Sequence, residues 1–186
     1  MSKPPLLAFS LGDAAGIGPE IALRLLQEPP QEARLLIIGS AAALAREQAH
    51  MPEATMPPTV ERPEDVSDDP GAAALWAGSA PLTTLPAYGE VSADAGAASH
   101  AWVLQAADLA LGGQVAGIVT GPVHKAAWNA AGVVHPGHTE ALCAHAGAER
   151  VLMMLIGERL RVALATTHVA LSAVPGLLDP DQITAD

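Results

Sequence analysis

The sequence is poor in cysteine, in aromatic residues and in positive charge, and each shortage excludes a class of protein. Its 186 residues include one cysteine, one phenylalanine, one tyrosine and three tryptophans. The single cysteine, Cys143, cannot form an internal disulfide, so nothing indicates an oxidising compartment. With so few rings, the core has to be built from alanine, leucine, valine and isoleucine packed closely together.

Positive charge is scarce, with 9 lysines and arginines against 20 acidic residues and a net charge of -11. A nucleic-acid-binding protein needs a concentrated basic face to replace the counterions of the phosphate backbone, and the sequence has none. The apolar run at residues 6–11 is too short for a signal peptide or a membrane span. We therefore expect a cytoplasmic protein that binds neither nucleic acid nor membrane.

Alternating apolar runs and helix-start signals in the first two thirds of the chain predict an α/β fold. Near-continuous apolar runs are typical of buried parallel strands, and they occur at residues 6–11, 35–39 and 115–120. Capping and proline signals predict helices at residues 18–27, at 94–111 with Asp94 as the cap, from Gly121-Pro122 onward, and at 139–147. An alanine-rich stretch predicts a further helix at residues 41–49. This order indicates a parallel sheet covered by helices on both faces.

Two other segments depart from that alternation. Residues 51–92 are rich in proline and predict a long excursion with one or two short strands, one of them at residues 81–85. Near the end, residues 151–156 and 160–165 predict an antiparallel hairpin, and Asp179-Pro180-Asp181 predicts the start of a helix.

Two glycine-containing segments follow predicted strands directly. In residues 12–20 (GDAAGIGPE) the glycines allow a sharp turn and let a ligand approach the amides of a helix N-terminus. The G-x-G-x-x-G spacing of a dinucleotide fingerprint is missing, and a tight turn without a ligand explains the pattern equally well. In residues 120–125 (TGPVHK), three roles are open for Lys125: it binds a carboxylate or phosphate, it acts as an acid or base if its pKa is lowered, or it is a solvated lysine on a helix.

Two further segments carry histidines. In residues 136–140 (PGHTE), Thr139 can cap a helix and His138 precedes it, an arrangement that suits an anionic substrate. Residues 163–168 (ALATTH) place His168 after a buried strand, where a structural role and a metal-ligand role are both open. His124 and His135 are further metal candidates, but zinc needs three or four convergent ligands and their spacing does not establish them.

Together these segments resemble the 4-hydroxythreonine-4-phosphate dehydrogenase family of vitamin B6 biosynthesis. The resemblance runs from residue 6 to about residue 175 and is weakest between residues 50 and 90. It implies a fold of the isocitrate/isopropylmalate dehydrogenase type, with two α/β domains around a cleft, truncated in this chain, and a homodimer. It also implies oxidation of a secondary alcohol by NAD or NADP, followed by loss of CO2, with a divalent metal (Zn, Mg or Co) that polarises the hydroxyl.

The resemblance also assigns individual residues. His138 and Thr139 correspond to substrate-binding residues of the family, and His168 corresponds to one of its three metal-binding histidines. This lowers His124 and His135 as metal candidates. Leu11 and Ala14 stand where the family usually has prolines, so we expect a less rigid turn there.

The remaining two metal histidines of the family would lie beyond residue 186. We therefore expect residues 1–125 to form most of the first domain and residues 126–186 the start of the second. One histidine supplies too few ligands for a catalytic metal, so the chain by itself should neither bind metal tightly nor turn over.

Two alternatives remain open. One is an enzyme of the same fold with another substrate, such as phospho-threonate, phospho-erythronate or an aromatic cis-dihydrodiol. The other is a non-catalytic dimerisation module, which would have to cover the unpaired edges of its sheet.

Overall fold

The computed structural model describes residues 3–167 and 169–185. The chain divides into two compact units, Met1–Gly147 and Ala148–Asp186. Among the described residues, no helix combines the length and the apolar character needed to cross a membrane.

The first unit is built on a five-stranded parallel sheet. Its strands are β1 (Leu6–Ser10), β2 (Arg34–Ile38), β3 (Thr59–Val60), β4 (Ala73–Trp76) and β5 (Gly117–Thr120), in the spatial order β3-β4-β2-β1-β5. The central strand β2 is buried at all five residues and β1 at four of five. Since successive side chains point to opposite faces, both faces of the sheet are covered, and the predicted α/β class with a parallel sheet is confirmed.

Five helices accompany the sheet in this unit. They are α1 (Gly18–Gln27), α2 (Ala41–Gln48), α3 (Ala93–Leu111), α4 (Lys125–Ala130) and α5 (His138–His145). The long helix α3 packs against β1, β2 and β5, and it also contacts α4 and α5. Because of these contacts α4 and α5 belong to the first compact unit. The predicted division after residue 125 concerns the domains of the whole enzyme and stays a prediction.

The prediction of a strand at residues 81–85 is wrong. The short strands of this proline-rich segment are β3 and β4, and residues 81–85 have no strand geometry. Pro81 and Pro86 lack the amide that a strand needs for its ladder. Leu82 and Leu85 instead pack against the core as parts of a loop.

The starts of three helices also differ from the predictions. The side chain of Ser92, rather than Asp94, caps α3 by accepting a hydrogen bond from the amide of Ala95, at 3.3 Å. The helix predicted from Gly121-Pro122 begins only at Lys125, because residues 121 and 122 continue from β5 in contact with the end of β1. Gly137 precedes α5 without a side-chain cap, so Thr139 lies inside the first turn and is not the cap.

The second unit contains the predicted antiparallel hairpin. Strand β6 (Met153–Ile156) pairs with β7 (Arg161–Leu164), and the amide of Gly157 closes the turn on the carbonyl of Leu160 at 2.8 Å. A 3-10 turn and two short helices follow, Leu171–Ala173, α6 (Val174–Leu177) and α7 (Pro180–Ala185). The predicted helix start at Pro180 is confirmed.

Candidate functional site

The loops that follow β1 and β5 lie against each other at the carboxyl edge of the sheet. The two strands are neighbours in register, with Ser10 opposite Thr120. Gly121 donates its amide hydrogen to the carbonyl of Ser10 at 2.7 Å, and Asp13 donates its own to the carbonyl of Pro122 at 2.8 Å. The first two sequence segments singled out above are therefore brought together, at the edge where open parallel sheets bind ligands.

Glycines make this contact possible. Gly12 has a φ of +77°, and a Cβ added there would lie 2.4 Å from the carbonyl oxygen of Pro122. A Cβ on Gly121 would lie 2.6 Å from the carbonyl oxygen of Leu11. Both positions exclude a side chain while the two loops remain in contact.

His138 brings the third segment to the same place. It is the first residue of α5, and its ring interacts with the backbone of Gly121. Burial lowers the pKa of His138, and a hydrogen bond to the Gly121 backbone partly opposes that effect. The imidazole is therefore neutral at neutral pH. Its Nε2 atom is buried and has no hydrogen-bond partner among the described residues.

A tryptophan that the sequence analysis did not single out lies beside His138. Trp128 of α4 is fully buried, and its ring meets the His138 ring edge-on, with 5.8 Å between centroids and 67° between planes. His100 of α3 makes a second edge-on contact with Trp128, at 5.1 Å and 83°. No local pattern marks Trp128 as a site residue, because its neighbours come from other helices.

Arg46 was also missed. Its guanidinium donates hydrogen bonds to the carbonyls of Ala14 and Pro86, and it lies over the ring of Tyr88 at 4.0 Å from the centroid. It thereby connects the glycine-containing loop after β1 to the loop at residues 86–89. Next to this contact is an open depression of about 500 Å³, lined by Ala15, Gly16, Ile17, Glu20, Glu47, His50, Tyr88 and Gly89.

The remaining predicted residues have simpler surroundings. Thr139 is half-buried in the first turn of α5, and Lys125 is exposed at the start of α4. His124 caps α4, since its Nδ1 accepts the amide hydrogen of Ala127 at 3.3 Å. His135 stacks on His100 with 6.3 Å between ring centroids. The roles of His124 and His135 in the structure are thus local contacts.

The metal prediction depends on a residue that lies outside the described ones, His168. Within residues 3–167 and 169–185, no three histidine, cysteine or acidic side chains lie close enough to hold a metal ion. The described part of the chain therefore does not by itself assemble a metal centre.

Comparisons with known proteins agree on one family. The family model of the pyridoxal phosphate biosynthetic protein PdxA matches residues 31–186. A 4-hydroxythreonine-4-phosphate dehydrogenase from Desulfosudis oleivorans is 38% identical over 185 residues, which cover 98% of this chain and 54% of the relative. A D-threonate 4-phosphate dehydrogenase from Bordetella bronchiseptica is also 38% identical, over 188 residues covering 99% of this chain and 53% of the relative.

The structural comparison gives the same result. The crystal structure of 4-hydroxythreonine-4-phosphate dehydrogenase from Klebsiella pneumoniae matches with a TM-score of 0.85 at 31% identity, covering 98% of this chain and 56% of that one. The chain thus spans about half the length of the curated relatives it matches.

Proposed function

Because the chain belongs to the family of pyridoxal phosphate biosynthetic proteins PdxA, we propose that it contributes the substrate-binding residues of a cytoplasmic dehydrogenase. The proposed enzyme oxidises 4-phosphohydroxy-L-threonine with NAD or NADP and a divalent metal, and the β-keto acid then loses CO2. A relative with the corresponding dehydrogenase name, 38% identical, supports this proposal. The structural observation that carries it is the buried, unpartnered Nε2 of His138 beside the paired loops.

The first turn of α5 supplies the polar groups for substrate binding. No side chain of the described residues caps this helix, so its first-turn amides are available as donors. The neutral His138 ring adds one nitrogen that lacks a partner, and an unmade hydrogen bond in a buried site is costly. In the proposal, a hydroxyl group of the substrate donates a hydrogen bond to this Nε2, because the ring of neutral His138 donates its one N–H to the Gly121 backbone. Other oxygen atoms of the substrate accept hydrogen bonds from the first-turn amides and from the hydroxyl of Thr139. These residues bind and orient the substrate.

The metal enters the proposal only through His168. The described residues do not fit a metal centre by themselves, so no step of the reaction is derived through the metal. When bound, a divalent metal supplies Lewis-acid polarisation of the substrate hydroxyl.

The identity of the substrate has a specific competitor. The relative from Bordetella bronchiseptica is named for D-threonate 4-phosphate and is as similar to this chain as the relative named for 4-hydroxythreonine 4-phosphate. Both substrates are phosphorylated hydroxy acids, so the same binding groups serve either one. The chain is therefore assigned to phosphorylated hydroxy acids as a class, with 4-phosphohydroxy-L-threonine as the first candidate.

A substrate panel tests this proposal. The protein, expressed from its full reading frame, is supplied with zinc, magnesium or cobalt, and NADH and NADPH formation is followed with each phosphorylated hydroxy acid. His138→Gln should raise KM up to about tenfold, the loss expected for one hydrogen bond between uncharged groups. His145→Gln, the same change at an exposed histidine at the other end of α5, is the matched control and should leave KM unchanged.

Two outcomes would contradict the proposal. If His138→Gln and the control variant have equal kinetic constants, His138 does not bind the substrate. The absence of cofactor reduction with every substrate and metal, from a stable dimer seen by light scattering, would favour the non-catalytic dimerisation module.

Lys125 and the oligomeric state complete the proposal. Lys125 is exposed at the start of α4, and we place it near the substrate. Unchanged kinetics of Lys125→Met would show that Lys125 does not lie near the substrate.

We also propose that the protein forms a homodimer. Light scattering of the same sample tests this part of the proposal.

A further inference from the structure

Trp128 is held in one orientation by a chain of hydrogen bonds that runs back to helix α3. Its Nε1–H donates to the hydroxyl of Ser99 at 2.9 Å, and that hydroxyl donates to the carbonyl of Gly96 at 3.0 Å. Ser99 and Trp128 are both almost completely buried. A buried indole N–H needs a partner, and this partner also fixes the rotation of the indole about its side-chain bonds.

Gly96 brings the two helices close enough for this arrangement. A Cβ at Gly96 would lie 2.1 Å from the carbonyl oxygen of Ala127, the residue before Trp128. Helices α3 and α4 therefore cross with backbone in contact with backbone at this point. This backbone contact fixes the position from which the side chain of Trp128 leaves α4.

The fixed indole contacts two imidazoles. The ring centroid of His100 lies 5.1 Å from that of the indole, and the ring centroid of His138 lies 5.8 Å from it. Both contacts are edge-on. Among the described residues, the ring of His138 is oriented by Trp128 and by the backbone of Gly121. A rotation of the indole would therefore remove one of the two contacts that orient the His138 ring, whose Nε2 has no hydrogen-bond partner among the described residues.

We propose that Trp128, held by Ser99, is a positioning residue that sets the orientation of the His138 ring toward the substrate. The part of this inference that concerns substrate rests on the proposed function. The part that concerns the ring of His138 rests only on the contacts among α3, α4 and α5. The two parts are tested by different measurements.

Two substitutions test the inference in the protein expressed from its full reading frame. Trp128→Phe removes the indole N–H and part of the ring, and Ser99→Ala removes the acceptor with little change in volume. Each should raise KM for the phosphorylated substrate about tenfold while kcat changes less, as expected when binding rather than chemistry is disturbed. The double variant should be no worse than Trp128→Phe alone, because both changes break one chain of contacts.

A second measurement does not depend on activity. NMR titration of the His138 ring should give a pKa closer to the ordinary histidine value in Trp128→Phe, because water reaches a ring that the indole now covers. Trp76→Phe is the matched control, since Trp76 of β4 also loses an indole hydrogen bond, to the carbonyl of Glu61 at 3.1 Å. It should lower stability without changing the titration of His138 or KM.

The results separate the inference from the proposed function. An unchanged His138 titration and an unchanged KM in both Trp128→Phe and Ser99→Ala would overturn the inference. A shifted titration, together with a KM insensitive to His138→Gln, would support the positioning role and refute the proposed substrate site. If Trp128→Phe does not fold, Ser99→Ala decides the question by the same two measurements.

Discussion

Replacing Gly12 by alanine tests the contact between the loops after β1 and β5. An L-residue in the left-handed region costs about 1–2 kcal/mol, and Gly12 has a φ of +77°. The new Cβ would also lie 2.4 Å from the Pro122 carbonyl oxygen, so the loops must separate. Separation breaks the 2.8 Å hydrogen bond from Asp13 to Pro122. Leaving such a buried donor unpaired costs about 1–3 kcal/mol. We expect a total loss of about 2–5 kcal/mol in the free energy of unfolding.

Gly113→Ala is the matched control for this substitution. Gly113 has a φ of +69°, and nothing lies within 4 Å of a Cβ added there. The free energy of unfolding of Gly113→Ala should therefore fall only by the cost of the left-handed conformation, about 1–2 kcal/mol. Urea unfolding followed by tryptophan fluorescence measures both variants, because all three tryptophans (76, 102 and 128) lie in the first unit. Equal losses for the two variants, within about 0.5 kcal/mol, would refute the contact between the loops.

Two other predictions concern the stability of the first unit. Burial lowers the pKa of His100 and His138, so the unfolded chain binds more protons than the folded one just below the ordinary histidine pKa of about 6.5. The melting temperature should therefore fall as the pH is lowered from 7.5 to 5.5. The double variant His100→Gln/His138→Gln should show a smaller fall. An equal fall in this variant would assign the pH dependence to other groups. Gly96→Ala should lower the free energy of unfolding by about 1–3 kcal/mol through overpacking, because the new Cβ would meet the backbone of α4. Gly176→Ala should not destabilise the first unit, because nothing lies within 4 Å of the Cβ added there. Equal urea midpoints for these two variants would show that α3 and α4 are not in close contact at Gly96.

The regular elements of the first unit could be predicted because their signals are local. Helix α1 begins at Gly18 and ends at Gln27, as predicted from the proline at its second residue and the prolines that follow it. Strands β1 and β2 appear within a residue of the predicted bounds, since continuous apolar runs are typical of strands buried on both faces. The hairpin of the second unit follows from its short polar connection in the same way.

The contacts that build the site could not be predicted, because they join residues far apart in the chain. The local sequence around Gly121 does not indicate that its amide donates a hydrogen bond to the carbonyl of Ser10. Because of this pairing, α4 begins at Lys125 and not at Gly121. Likewise, the link from Ser99 to Trp128 depends on how two helices cross. The family resemblance pointed to His138 and Thr139, but it did not indicate which neighbours hold them. Periodicity and capping rules describe one element at a time, whereas the site arises between elements.

Substrate binding and metal binding are proposed for different residues of the chain, so they can be measured separately. His138 lies in the first unit, whereas His168 lies outside the described residues. The described residues contain no group of three metal-binding side chains, and the family resemblance assigns one metal histidine to the chain. We therefore expect these 186 residues by themselves to retain less than one metal ion per chain after dialysis, as measured by elemental analysis. In the protein from the full reading frame, His168→Gln should lower the metal content while His138→Gln leaves it unchanged and raises KM. A stoichiometric, tightly held metal in the 186-residue chain would refute this assignment, because a single histidine cannot hold a catalytic ion.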